Sequence, residues 1–85
     1  MDIPTFRKER GLTQVDFAKL MTDAGFPATQ GLVSQWEQGE VKLTPDRATQ
    51  IERATGIPCE DLRPDLVWTR DEAGKVTGYH VPLAA

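Results

Sequence analysis

The sequence predicts a mainly α-helical fold of five short helices followed by a C-terminal β-hairpin. Apolar residues recur at helical spacing in segments that begin at capping residues and end at glycine or proline. From residue 66 onward, β-branched and aromatic residues form two runs separated by a glycine-containing loop. The length of 85 residues fits one domain. We expect that domain to comprise a helical core over residues 1–64 and a hairpin and tail over residues 65–85.

The first two helices are predicted from the signals at their ends. Pro4 suits the first position of a helix and Gly11 suits the end, which predicts a helix over residues 4–10. Thr13 precedes the second helix, where its hydroxyl can cap the amide of Asp16. The second helix presents an apolar face at helical spacing, formed by Phe17, Ala18, Leu20 and Met21.

Three further helices follow from signals of the same kind. Thr29 caps a third helix over about residues 30–38, which Gly39 closes. The sequence Thr44-Pro45-Asp46 begins a fourth helix that runs to residue 55, and a short fifth helix covers residues 58–62. The third helix has an outward polar face formed by Gln30, Ser34, Gln35 and Gln38.

The hairpin is predicted over residues 66–81, with its loop at residues 71–74. An isolated two-stranded ribbon is marginally stable in water. This one is too apolar to stand alone, because its strands carry Val67, Trp68, Tyr79 and Val81. It must therefore pack on the helices or pair with a second copy of the chain. We favour dimerisation through these four residues.

Residues that could support other chemistry are few. Cys59 is the only cysteine and cannot form an intramolecular disulfide, and no Cys/His set has metal-ligand spacing, so we expect a reducing compartment and neither metal nor cofactor. No apolar stretch could span a bilayer and no signal peptide is evident, so we expect a cytoplasmic protein without a membrane partner. No nucleophile, base and oxyanion donor can be assembled, which argues against an enzyme with a small-molecule substrate.

Two stretches of the helical core resemble known regulators. Residues 11–20 followed by residues 29–39 resemble the helix-turn-helix of Cro/CI-type phage repressors, and residues 51–56 with 60–66 resemble the YdaS-like prophage regulators more narrowly. The resemblance implies a five-helix Cro/CI-type helix-turn-helix domain. It further implies a sequence-specific transcriptional regulator, a repressor of phage or prophage type that binds a palindromic operator in double-stranded DNA as a homodimer.

The resemblance also assigns roles to individual positions. It implies base contacts by the recognition-helix residues, listed as Thr29, Gln30, Ser34 and Gln35. It implies phosphate contacts by Gln14, Lys19, Gln38 and Lys42. Gly31 also matches a base-contacting position, but it has no side chain and should read nothing. Arg7 and Glu37 match a pair that ties the first helix to the recognition helix.

The overall charge is unusual for a DNA-binding protein. Ten Lys and Arg face thirteen Asp and Glu, for a net charge of −3, whereas a basic excess is the usual footprint of phosphate binding. A locally basic surface could be built only from Arg7, Lys8, Arg10, Lys19 and Lys42. We therefore expect modest affinity for one subunit and a need for two.

Alternatives to this interpretation remain. Between Met21 and Thr29 the chain carries about five residues more than the usual turn, so the second helix is longer or a loop follows it. The glutamines of the third helix could form a merely solvated face. The alternative function is an antitoxin or anti-repressor whose main partner is another protein.

Overall fold

The computed structural model describes residues 1–83; the last two residues of the predicted tail, 84 and 85, lie outside the described part. Within residues 1–83, five helices precede one antiparallel hairpin, which confirms the predicted fold class. In chain order the elements are α1 (Ile3–Arg10), α2 (Gln14–Asp23), α3 (Gln30–Gln38), α4 (Pro45–Thr55), α5 (Cys59–Leu62), β1 (Val67–Arg70) and β2 (Val76–His80).

Most helix boundaries follow from local capping. At α2, the Asp16 amide donates to the Thr13 hydroxyl and the Thr13 amide donates to the Asp16 carboxylate, a reciprocal capping box. At α3 and α4 only the first of these two bonds is present: the hydroxyl oxygens of Thr29 and Thr44 accept from backbone amides in the first turn of each helix. Helix α1 begins one residue earlier than predicted, because the Asp2 carboxylate, which the prediction did not include as a cap, accepts from the Thr5 amide at 2.9 Å.

The main core joins α1, α2, α3 and α4. Its side chains are Ile3, Phe6, Phe17, Ala18, Met21, Val33, Leu43, Ile51 and Ile57. The rings of Phe6 and Phe17 meet edge to face, with centroids 6.0 Å apart, a favoured arrangement for two aromatic rings. Val33 is fully buried against this core, which fixes the inner face of α3 and leaves its polar face outward.

A second apolar cluster holds the hairpin on the helices. It comprises Ala48, Cys59, Leu66 and Trp68. The Trp68 indole N–H donates to the Arg63 carbonyl at 3.1 Å, so this buried ring has its polar atom satisfied. The hairpin could either pack on the helices or pair with a second copy of the chain. The face that carries Trp68 packs on the helices.

An ion-pair cluster adds a polar attachment between the hairpin and the helices. Arg70 donates to the carboxylate of Glu52 on α4 at 2.5 Å, to that of Glu60 on α5 at 2.6 Å, and to the Gly74 carbonyl at 2.7 Å. Glu52 also accepts from the Cys59 amide at 3.0 Å. The hydrogen bonds from Arg70 lower the pKa of both glutamates.

The strands pair with Val67 opposite His80 and Trp68 opposite Tyr79, and the register shifts between Thr69 and Arg70. Opposed residues share a face of a two-stranded sheet. Trp68 and Tyr79 therefore lie on the face toward the helices, and Val67 lies on the outer face with His80. Within residues 1–83, none of the helices has the length and apolar composition needed to cross a bilayer.

Candidate nucleic-acid interface

A loop, and not a longer second helix, connects α2 to α3. Helix α2 ends at Asp23, and its C-terminal end is closed by the Phe26 amide, which donates to the Met21 carbonyl at 2.9 Å. The Thr22 hydroxyl donates to the Ala18 carbonyl at 2.9 Å and accepts from the Ala28 amide at 3.2 Å. The additional residues thus form a hydrogen-bonded loop against the end of α2, with Phe26 packed on the core.

Arg47 on α4 contacts this loop. Its guanidinium donates to the Pro27 carbonyl at 3.3 Å and to the Gln50 side chain at 3.1 Å. It also lies 5.2 Å from the centre of the Trp36 ring, within the range of a cation–π contact. Arg47 therefore joins the loop, α3 and α4. This role of Arg47 could not be predicted from the sequence, because no local spacing signals a contact between residues twenty positions apart.

Arg7 and Glu37 form a two-pronged ion pair between α1 and α3. Both nitrogen-to-oxygen distances are 2.7 Å, and a third Arg7 nitrogen donates to the Leu12 carbonyl at 3.1 Å. The Glu37 side chain is only 9% exposed. The hydrogen bonds from Arg7 lower the pKa of Glu37 against the opposing effect of burial, so the carboxylate stays ionised.

This pair continues into a relay of two amide side chains. The Gln14 amide nitrogen donates to Glu37 at 3.2 Å, and the Gln30 amide nitrogen donates to the Gln14 amide oxygen at 2.7 Å. An ionised carboxylate can only accept, so Gln14 must direct its nitrogen at Glu37 and its oxygen at Gln30. Gln30 is therefore held with its amide oxygen and one N–H free. That is the donor and acceptor pair that reads the N6 and N7 edge of adenine.

The remaining predicted base-reading residues differ in what their polar atoms already bind. Gln35 is exposed on the outer face of α3, whereas Ser34 is half-buried and accepts from the Gln38 amide at 2.9 Å. The Thr29 hydroxyl is occupied as an acceptor by the Leu32 amide, which leaves its hydrogen as a donor. All four residues thus lie on α3 or at its N-cap, and none of them is fully buried.

The predicted phosphate-binding lysines lie outside this face. Lys19 is exposed on α2. Lys42 follows α3, is 71% exposed, and lies 3.1 Å from the Asp65 carboxylate, which Arg63 also binds through two hydrogen bonds. These hydrogen bonds hold the pKa of Asp65 well below its usual range. The positive charge available near α3 is correspondingly small, because Glu37 neutralises Arg7.

The four residues predicted to form a dimer interface do not share one surface. Trp68 is 8% exposed and packs inside its own chain, with the Tyr79 ring 5.5 Å away beside it. Val67 is exposed on the opposite face, and Val81 is exposed beyond the end of β2. Val67, Tyr79 and Val81 are therefore the exposed members of the set, and Trp68 belongs to the chain's own core.

Side chains that might support metal or thiol chemistry are isolated. Burial raises the pKa of the Cys59 thiol to about 12, so the thiolate is disfavoured at neutral pH. His80 is exposed on β2. No group of three or more His, Cys, Asp or Glu side chains in the described residues 1–83 could hold a metal ion.

Comparison with known proteins identifies two similarities. The family model described as bacterial toxin YdaS matches residues 25–71, which run from the α2–α3 loop to the residue after β1. A curated relative, the putative transcriptional regulator YdaS of Escherichia coli (strain K12), is 46% identical over 39 residues. These residues are 44% of this chain and 40% of the relative, so the chain spans less than half the length of that relative. No solved structure matches.

Proposed function

The chain belongs to the bacterial toxin YdaS family, and from that premise we propose that it is a transcriptional regulator, a repressor of phage or prophage type that acts on cytoplasmic DNA and is not an enzyme. Its target is a palindromic operator, which two subunits bind together. The name of the Escherichia coli relative, a putative transcriptional regulator, supports the regulatory role.

The observation that carries the proposal is the orientation of Gln30 by the relay from Glu37 through Gln14. A solvated helix face needs no such support, because exposed glutamines lose side-chain entropy when they are held in place. Holding Gln30 before a ligand arrives reduces the entropy cost of binding. In the proposed complex α3 lies in the major groove, where Gln30 and Gln35 read base edges.

Phosphate contacts would position the protein on the duplex. We assign them to Lys19, Gln38 and Lys42, and to Gln14, which would contact the DNA backbone as well as take part in the relay. This is a small set for a chain of net charge −3. A second subunit compensates, since linking two weak sites raises the effective concentration of the second to about the millimolar range. The hairpin, in residues 65–85, is the proposed dimerisation element.

The proposal is tested by the salt dependence of binding to duplex DNA. Releasing condensed counterions makes the logarithm of the affinity fall linearly with the logarithm of salt concentration, with a slope of about −0.9 for each phosphate neutralised. We expect such a decline for the full chain, with a slope reduced by about 1 in Lys42→Ala. Absence of duplex binding even at low salt would contradict the proposal.

A second candidate function is an antitoxin or anti-repressor that binds another protein. The exposed apolar side chains of the hairpin, Val67, Tyr79 and Val81, favour it, as does the negative charge. This candidate would replace the first if the chain bound no duplex at low salt but formed a stoichiometric complex with a partner protein.

A further inference from the structure

Gly31 in the first turn of α3 is not required by the fold. It is exposed and has no left-handed backbone conformation. A Cβ placed there would meet nothing closer than the Thr29 hydroxyl oxygen at 4.0 Å, which is ordinary van der Waals contact. Because alanine favours helices more than glycine does, the fold alone would favour alanine at this position.

The other glycines described in residues 1–83 have local structural reasons. Five have positive φ values, where a side chain would be strained, namely Gly11, Gly25, Gly39, Gly56 and Gly74. At Gly78 a Cβ would lie 3.3 Å from the Thr69 hydroxyl oxygen, which is tight. Gly31 is the exception among them, since neither backbone geometry nor crowding accounts for it.

The position of Gly31 relative to the glutamines is specific. It follows Gln30 directly and lies four residues before Gln35, so Gly31 and Gln35 are neighbours on one face of α3. No side-chain atom of Gln35 lies within 4 Å of a Cβ placed at Gly31, so the space above this turn is open.

We propose that Gly31 is a specificity-determining residue, because its missing Cβ lets the backbone of α3 approach the base edges closely. This inference rests on the proposed function. The major groove is about 12 Å wide and a helix with its side chains is about 10–12 Å across, so the helix has little space to spare. A side chain at the point of nearest approach moves the whole helix outward.

The test is Gly31→Ala, measured by thermal unfolding and by binding to two duplexes at one salt concentration. One duplex is an operator selected from a random pool by the unaltered chain, and the other is a random sequence. We expect an unchanged or raised Tm, because the new Cβ enters open space. Binding to random duplex should remain within about twofold, since phosphate contacts tolerate a small displacement. Affinity for the operator should fall by about tenfold or more, or about 1.4 kcal/mol.

The comparison separates this inference from the function on which it rests. If the affinity of Gly31→Ala for the operator stays within about twofold of that of the unaltered chain, the role of Gly31 is overturned and operator binding is left intact. An unaltered chain that selects no operator would overturn both. An equal loss on operator and random duplex would also contradict the inference, because the effect would then not concern base edges.

Discussion

At the scale of single residues, the charge of Glu37 sets the orientation of the groups around it. Arg7 keeps the carboxylate ionised, the carboxylate fixes the direction of the Gln14 amide, and that amide fixes the direction of Gln30. A neutral group in place of the carboxylate could donate as well as accept. The order of donors along the relay would then no longer be determined.

A double-mutant cycle on Arg7→Met and Glu37→Gln tests this arrangement. Each single substitution leaves a partner at least half buried without its counter-charge, so each should lower the free energy of unfolding by about 1–3 kcal/mol. The double mutant should lose less than the sum, with a coupling of at least about 0.5 kcal/mol. Lys42→Met, at an exposed side chain, is the control and should change little. Additive losses would show that the pair is not coupled.

At the scale of elements, the sequence predicts what local interactions decide. The observed ends of α3 and α4 agree with the predicted ends, because a capping threonine and a terminal glycine or proline act within one turn of the helix. The inner face of the hairpin could not be predicted, since it depends on the register shift next to Arg70 and on packing of Trp68 against distant helices. The loop between α2 and α3 could not be predicted for the same reason, because Arg47 contacts it from α4.

Arg70→Met should loosen the hairpin from α4 and α5. The substitution removes the cation that neutralises Glu52 and Glu60 and should destabilise the chain by about 1–2 kcal/mol, between the effects of exposed and buried pairs. Hydrogen exchange at the amides of β1 and β2 should accelerate more than exchange in α2. Lys75→Met, at an exposed lysine in the same hairpin, provides the control. Equal protection in the two variants would mean that apolar packing alone holds the hairpin.

At the scale of the whole molecule, charge affects both stability and assembly. Three glutamates, Glu37, Glu52 and Glu60, have pKa values lowered by hydrogen bonds from arginine. Their ion pairs join α1 to α3 and the hairpin to α4 and α5. The same ion pairs neutralise Arg7 and Arg70, and in the proposed complex a second subunit would compensate for the small remaining positive charge.

Stability should therefore fall in acid. When the pKa of a glutamate is lower in the folded state than in the unfolded state, the unfolded chain binds more protons as the pH falls. The stabilisation is fully present above the unfolded pKa of about 4.3 and is lost as the pH falls through the folded pKa. Urea unfolding between about pH 6 and pH 3 should show this decline, with a smaller slope in Glu37→Gln. An identical slope in the variant would contradict the contribution of Glu37.

The hairpin is expected to create the dimer through its exposed apolar side chains. Val67→Lys and Val81→Lys should each weaken dimerisation by about tenfold or more, since a two-fold interface contains each substitution twice. Neither should unfold the chain, because both valines are exposed. Val15→Lys, at an exposed valine of α2, is the control in sedimentation. A chain that remains monomeric well above its operator affinity would exclude this assembly.

Selection of bound sequences from a random duplex pool, by the unaltered chain and by Gln35→Ala, tests whether α3 reads the bases of an operator. We expect the unaltered chain to select a palindromic sequence with half-sites about one helical turn apart. Gln35→Ala should lose the preference at one base pair in each half-site, at a cost of about 1–3 kcal/mol. Lys42→Ala should bind more weakly with the same preferences. No enriched sequence, or an unchanged preference in Gln35→Ala, would contradict recognition by α3.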